Sequence, residues 1–290
     1  LKFPVPHEYS HLAEDVTGNY INESSAVHDS MFVNASEQLR YCFYVGRNLK
    51  SCYDVSMWGD SSELLLESAM CGMNCRNLRY CCECWIGSTD LDYCIYCVGA
   101  QHCFGCVGMR KKQYCILNKQ YTAEQYYETA ARLAQHMQRT GEWGEFFPTA
   151  MSPIPYNDSL AARYFPLSQS EAAAKGLVWR TAPLVESAGA IPANELPDMF
   201  PINGDSIIVK DARGQAFRIV SDEIRRCRAL GVPLPRVSYQ ERMEKRAAIL
   251  GGIVLYQRQC AKSGKQITTT ISPDSPLIVW DREVFEATLG

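Results

Sequence analysis

The feature that most constrains this chain is a series of short apolar phrases that recur between residues 13 and 118 without copying one another. Their centres are Asn19-Tyr20-Ile21, Met31-Phe32-Val33, Tyr41 to Val45, Cys52 to Val55, Leu64 to Leu66, Cys81 to Ile86, Cys94 to Val98, Cys103 to Val107 and Tyr114 to Leu117. Each has the length and composition of a short strand. Between them, Gly46, Asn48, Gly59, Asp60, Gly72, Asn74, Gly87, Asp90, Gly99 and Gly108 supply residues that tolerate positive backbone dihedrals. The intervals Cys42 to Cys52, Cys71 to Cys81, Cys81 to Cys94, Cys94 to Cys103 and Cys103 to Cys115 are 10, 10, 13, 9 and 12 residues, which predicts a coil of about 10 residues between equivalent turns. Strands so short cannot bury an apolar face alone, and stacking successive coils is the physical remedy. The leading fold is therefore mainly β: a short-coil parallel β-solenoid, with residues 37 to 118 as one compact unit rather than a set of separate zinc fingers. A curled antiparallel sheet or small sandwich is the competing arrangement.

Twelve of the 14 cysteines lie between Cys42 and Cys115, while Cys227 and Cys260 stand alone. Such a concentration fits a reduced interior ladder, a metal cluster or a disulfide framework. Disulfide scaffolds serve short secreted chains that lack a core, whereas 290 residues at 47% hydrophobic content provide one. A reduced, cytoplasmic ladder is the leading reading, because a free thiol behaves as a small hydrophobe. Cys94, Cys97, Cys103 and Cys106 match a four-thiolate site on ligand count and keep the metal alternative open. A buried hydroxyl without a partner costs about 1–3 kcal/mol, so the ladder predicts that serine at Cys94, Cys103 or Cys115 is worse than alanine. Ser24, Ser25, Ser30 and Asn34 read as a less apolar end of the stack, with Phe3 to Pro6 covering its edge.

After residue 118 the period changes. Thr122 and Gln125 form a capping box, and Tyr126, Ala130, Leu133 and Met137 make the apolar stripe of a helix ended by Gly141. Such a helix would seal the last coil, since an open strand edge invites pairing with another chain. A strap from Met151 to Tyr156 and a short helix from the Ser168–Glu171 capping box complete a first domain at 1–180. Residues 181–205, rich in proline, read as a linker. Residues 206–290 read as a small α+β tail module. It starts with a hairpin around Asp211 to Gly214 and continues with helices capped by Ser221 and spanning Tyr239 to Leu250. Strands near Ile253–Arg258, Gln266–Ile271 and Leu277–Trp280 follow.

Chemistry is sparse in these patterns. His102 adjoins Cys103, but neighbours on a strand face opposite ways and would not meet as base and nucleophile. Glu67, Asp90 and Asp92 could supply paired carboxylates for sugar chemistry, although surface turns need acidic residues for solubility anyway. Gly105 to Gly108 lacks the strand-to-helix context of a phosphate loop. No catalytic residue, metal ligand or cofactor is assigned. Charge offers more: residues 210–265 hold 13 Lys and Arg against 5 Asp and Glu, although the whole chain carries only -3. Arg225, Arg226, Arg242, Lys245 and Arg246 are the candidate binding residues, arranged where a phosphate backbone could be gripped. No apolar run is long enough for a membrane span, and no leader-like segment precedes the repeat.

Cys103 to Gly108, Tyr114 to Tyr121, Thr140 to Pro148, Tyr164 to Leu167 and Ser272 to Pro276 resemble an uncharacterised family of cysteine-rich "zinc-ribbon" proteins of uncultivated small-genome bacteria. That resemblance implies a tail ribbon with two pairs of zinc ligands. Here the first pair reads Cys260 and Ser263, and the second is replaced around Trp280, Asp281 and Arg282, so the ribbon is expected to be degenerate and metal-free. The resemblance implies no activity. The function expected is a non-enzymatic structural or protein-interaction scaffold with a protein partner or assembly. Nucleic-acid association through the basic tail is the weaker expectation, and a four-cysteine metal site in the repeat is a further alternative.

Overall fold

The structure, a computed structural model, describes residues 3–181, 185, 187–198 and 205–289. They divide into two compact units, residues 1–151 with 253–290, and residues 152–252. The first is a parallel β-solenoid of about nine turns, its strands forming one 12-stranded sheet with parallel pairing from Ser10–His11 to Gln113–Ile116. Among the described residues of the repeat, neither the curled antiparallel sheet nor the sandwich is present.

Each coil has four corners. In the coil from Ser25 to Ser36, the left-handed residues are Ala26, Asp29, Phe32 and Ala35. The residue after each, Val27, Ser30, Val33 or Ser36, turns inward and is buried. The same grammar holds far along the stack, where Asp90, Tyr93, Tyr96 and Gly99 are followed by buried Leu91, Cys94, Cys97 and Ala100. Equivalent residues are 12 apart in these coils and 13 apart in the middle of the stack. The additional residue sits at the fourth corner, as the left-handed pairs Arg47–Asn48, Asp60–Ser61, Met73–Asn74 and Ile86–Gly87. A left-handed conformation costs a residue other than glycine roughly 1–2 kcal/mol. Hydrogen bonds between coils offset this, for example Tyr80 N–H to the Leu66 carbonyl and Tyr93 N–H to the Arg79 carbonyl, both at 3.0 Å. Glycine is required where coils press together: a Cβ on Gly72 would lie 2.4 Å from the Gly59 carbonyl oxygen.

The lumen is filled by columns of inward residues. One runs Val27, Leu39, Cys52, then Leu65, Leu78, Leu91, Cys103 and Cys115. Eleven of the twelve solenoid cysteines are buried and Cys82 is half-buried; all are free thiols. Most inward thiols donate to the carbonyl two residues earlier, Cys75 to that of Gly72 three earlier, and several also approach a carbonyl on the next coil, as Cys94 Sγ does to Asp92 (3.3 Å) and Cys103 (3.5 Å). Burial pushes the thiols of Cys42, Cys52 and Cys75 up to about 11, 12 and 12. Cys94 is likewise driven well above the ordinary thiol value, by contact with the thiols of Cys106, Cys81 and Cys97 and by desolvation.

Serine uses the same geometry, which corrects the expectation that it is costly there. Ser30 Oγ donates to the His28 carbonyl (2.7 Å) and accepts the Cys42 N–H (2.9 Å). Ser62, Ser68 and Ser88 do likewise deep in the stack, so inward serine is not a mark of the amino-terminal end.

Helix α1 (Ala123–Thr140) begins with the Thr122–Gln125 capping box and ends at Gly141 with φ 75°. It packs Tyr126, Ala130, Leu133 and Met137 against Tyr80, Tyr93, Phe104 and Ile116, joined by Trp143 and Phe147. It therefore lies along the outer face of the last four coils rather than over the last coil alone, and the amino-terminal end of the stack is closed by residues assigned from sequence to the tail. Val5–Pro6 pairs in parallel with Val279–Trp280, Asn19 Nδ2 donates to Thr270 Oγ1 (2.9 Å), and Thr269 Oγ1 donates to the His7 carbonyl (2.7 Å). Residues 253–290 therefore belong with the solenoid, and the expected 206–290 module is divided at Gly252.

The second unit contains a sheet in which Ile191–Pro192 pairs in parallel with Ile207–Lys210, itself antiparallel to Ala216–Ile219. Ala193 and Leu196 join Val209, Phe217, Ile219 and Ile224 in its core. Residues 191–196 of the expected linker are thus structural, because their apolar side chains complete that core; residues 182–184, 186 and 199–204 of the linker lie outside the described residues. The strap beyond Met151 and the helix Gln169–Ala174 also belong to this unit, so the expected first-domain boundary at residue 180 moves to Met151. Ser221 is the first residue of its helix rather than its cap.

Candidate functional site

Coil stacking turns residues 12 or 13 apart into neighbours. Asn77, Asp90 and His102 are the first corners of three successive coils, each left-handed (φ 53°, 55° and 48°) and each followed by an inward residue. Their side chains therefore form an outward row. Asn77 Nδ2 donates to Asp90 Oδ1 (2.5 Å), and Asp90 Oδ2 lies 3.5 Å from His102 Nδ1. Tyr114 extends the row, its ring parallel to the His102 imidazole at 5.1 Å. Two residues further along each coil lies a second row, Arg79, Asp92, Phe104 and Ile116, in register by parallel pairing.

Arg79 and Asp92 form a bidentate pair at 2.6 and 2.8 Å, with the Asp92 side chain only 14% exposed. The pair raises the arginine above its ordinary range. The guanidinium also lies over the Trp143 ring at 5.6 Å. Across from the rows stands α1, contributing Tyr126, Tyr127, Ala130, Ala131 and Ala134, with the Tyr127 hydroxyl 3.5 Å from His102 Nδ1. The resulting cleft has a volume of about 490 Å³, within the range of small-molecule sites. Polar side chains of the two rows and alanines of α1 line it, together with Trp143.

The structure assembles part of what the sequence offered separately. Asp90, Asp92 and His102 share the cleft, whereas Glu67 lines a different hollow with Asp54 and Phe146. With Asp92 engaged by Arg79, the three carboxylates do not form a shared acid–base set. His102 and Cys103 face opposite ways, the thiol fully buried in the lumen. Among the described residues, no group of three or more His, Cys, Asp or Glu side chains is arranged to hold a metal ion. Asn77, Arg79, Tyr127 and Trp143 carry no sequence signal of their own; the 13-residue step from Asn77 to Asp90 and from Arg79 to Asp92 is the trace that places them together.

The basic candidates lie in the second unit and are tied to local partners. Arg225 and Arg226 both bind Asp222 (3.0 and 2.8 Å), Arg242 binds Glu223 (2.9 Å), Lys245 binds Glu241 (2.9 Å), and Arg246 Nη2 contacts Met243 Sδ (2.9 Å). Among the described residues, no helix is long and apolar enough to cross a membrane. No protein-family profile matches the chain, and no curated protein matches its sequence.

Proposed function

We propose that this protein is a non-enzymatic recognition scaffold, in which the solenoid holds the cleft beneath α1 in a fixed geometry for a partner. The observation that supports this reading is the row Asn77–Asp90–His102, whose spacing is set by interlocked coils rather than by loops. Sites carried on such elements need little reorganisation to bind. The ion-paired state of Asp92 favours recognition over acid–base chemistry. The test is a ligand-observed NMR screen of small polar fragments against the native protein and Ala134→Phe, which fills the cleft from α1. Fragments that bind the native chain, leave unchanged and lose binding in the variant are expected. Binding indifferent to the variant, or chemical turnover of a fragment, overturns the proposal.

Nucleic-acid association through Arg225, Arg226, Arg242, Lys245 and Arg246 is the second reading, supported by the local charge excess and weakened by the carboxylates already bound to these side chains. We further propose that the Tyr256–Thr269 hairpin is a degenerate ribbon. In support, Cys260 Sγ accepts N–H bonds from Ser263 (3.4 Å) and Asp281 (3.1 Å), taking up hydrogen bonds at the position of a ligand thiolate. Burial opposes ionisation of this thiol, but the Ser263 side chain and the surrounding N–H groups outweigh it and bring it to about 7.

A further inference from the structure

We infer that the cleft beneath α1 takes a sugar ring, a terminal or free saccharide unit whose hydroxyl groups lie along the Asn77–Asp90–His102 row. The inference rests on the reading of the cleft as the recognition site and adds its ligand class.

Three observations converge. First, the row alternates in hydrogen-bonding character. Asp90 accepts only, Asn77 offers an amide oxygen beside the N–H given to Asp90, and His102 and the Tyr127 hydroxyl can each donate and accept. A hydroxyl is itself a donor and an acceptor, so a ligand dense in hydroxyls satisfies every member of such a row. An ammonium group has no acceptor to offer, and a carboxylate or phosphate would meet Asp90 as a like charge. Second, neighbouring coils are about 4.7–4.9 Å apart. That step suits alternate equatorial hydroxyls on one pyranose, allowing one ring to engage two coils without distortion. Third, the cleft is two-faced. Ala130, Ala131 and Ala134 line the wall opposite the polar row, matching the C–H face of a sugar, while Trp143 and Tyr127 supply aromatic surface. A nucleobase presents two flat π-faces and would leave the alanine wall poorly matched.

The Arg79–Asp92 pair has a positioning role here. Asp92 is held on Arg79, and the guanidinium over the Trp143 ring links the second row to that ring.

The test is calorimetric titration of the full chain with methyl glucoside, methyl galactoside, methyl mannoside and N-acetylglucosamine, with putrescine and adenosine as comparison probes. Asp90→Asn, His102→Ala and Ala134→Phe are measured in parallel, with circular dichroism to confirm that each folds. At least one saccharide is expected to bind saturably and to weaken by about tenfold or more in Asp90→Asn and His102→Ala. Should Ala134→Phe fail to fold, those two variants carry the test alone. Saccharide binding unchanged in the variants overturns the inference, as does the absence of any saccharide binding. Variant-sensitive binding of putrescine or adenosine without saccharide binding also overturns the ligand class, while leaving the cleft as the recognition site. Loss of every cleft-dependent interaction, including those of the fragment screen, removes both.

Discussion

The backbone N–H of Cys42 donates to Ser30 Oγ on the preceding coil at 2.9 Å. Because Ser30 in turn donates to the His28 carbonyl at 2.7 Å, an inward hydroxyl is fully engaged. The lumen is therefore an apolar space ringed by backbone acceptors. Thiols and hydroxyls both fit it, since each donates to a carbonyl two or three residues back. Leucine, valine and alanine fill the remaining inward positions.

This reverses the expected ranking of substitutions. Cys94→Ser retains acceptors at the Asp92 and Cys103 carbonyls and is expected to cost less than about 1 kcal/mol. Ser30→Ala strips the Cys42 N–H of its partner and is expected to cost about 1–3 kcal/mol, while Ser30→Cys is nearly neutral. Chemical denaturation of the three variants decides the matter; a Cys94→Ser loss larger than that of Ser30→Ala contradicts the account.

Leu65, Leu78 and Leu91 lie directly above one another and are all buried. Leu78→Ala removes the middle one, with rigid coils on both sides that cannot close the gap, and is expected to cost about 2–5 kcal/mol. The exposed Leu64, on the adjoining corner, should accept alanine with little change. Equal losses at the two positions would show that the inward and outward sets are misassigned.

Asp54 and Glu67 occupy the same corner of adjacent coils around a hollow covered by Phe146. Desolvation lifts both carboxyls above the ordinary carboxylate range, with the Asp54 and Glu145 charges adding to the effect on Glu67. A carboxyl whose folded-state pKa is raised stabilises the fold when protonated. That contribution is present below the unfolded pKa and is lost as pH rises through the folded one. Glu67→Gln should therefore raise the melting temperature at neutral pH and flatten its decline between acid and neutral pH. A variant that melts below the native chain at pH 7 refutes this.

The repeat was legible because from Cys42 onward inward cysteines mark one or two corners per coil, but the expected coil of about 10 residues is too short: neighbouring coils repeat every 12 or 13 residues, and intervals such as Cys42 to Cys52 and Cys94 to Cys103 join different corners. The four-cornered grammar was less so, since Tyr, Asp, Met and Gln stand at left-handed corners where glycine or asparagine would announce a turn. The cleft was half visible. Asp90, Asp92 and His102 stood out as residue types, but Asp90 and His102 meet only when the coils stack, and α1 supplies the opposite wall from beyond the repeat. The strand Ile191–Pro192 was hidden in a proline-rich stretch, its identity set by pairing with Ile207–Lys210 rather than by local propensity. The closing helix Arg282–Leu289 follows a segment that resemblance marked as a lost ligand pair, and its apolar pattern went unread.

The last prediction concerns the amino-terminal end of the stack. Here the coil Glu14–Asn22 would present unpaired strand edge, but Ser10–His11 adds a short parallel strand and Val5–Pro6 binds Val279–Trp280. Arg282 N–H donates to His7 Nδ1 (3.0 Å), and the Asn19–Thr270 hydrogen bond ties the hairpin to the first full coil. An exposed parallel edge is a template for another chain. Truncation after Gly252 should therefore leave the coils folded but associating through this end, seen as concentration-dependent growth in light scattering. Asn19→Ala should loosen the same contact more mildly, raising proteolysis within residues 253–290. On the proposed degenerate ribbon, in which the hydrogen bonds of Cys260 stand in for a metal, strong chelation should leave that proteolytic pattern unchanged. Release of residues 253–290 on chelation would show that a metal holds the clasp; a truncated chain that stays monomeric would show that the first coil needs no cover.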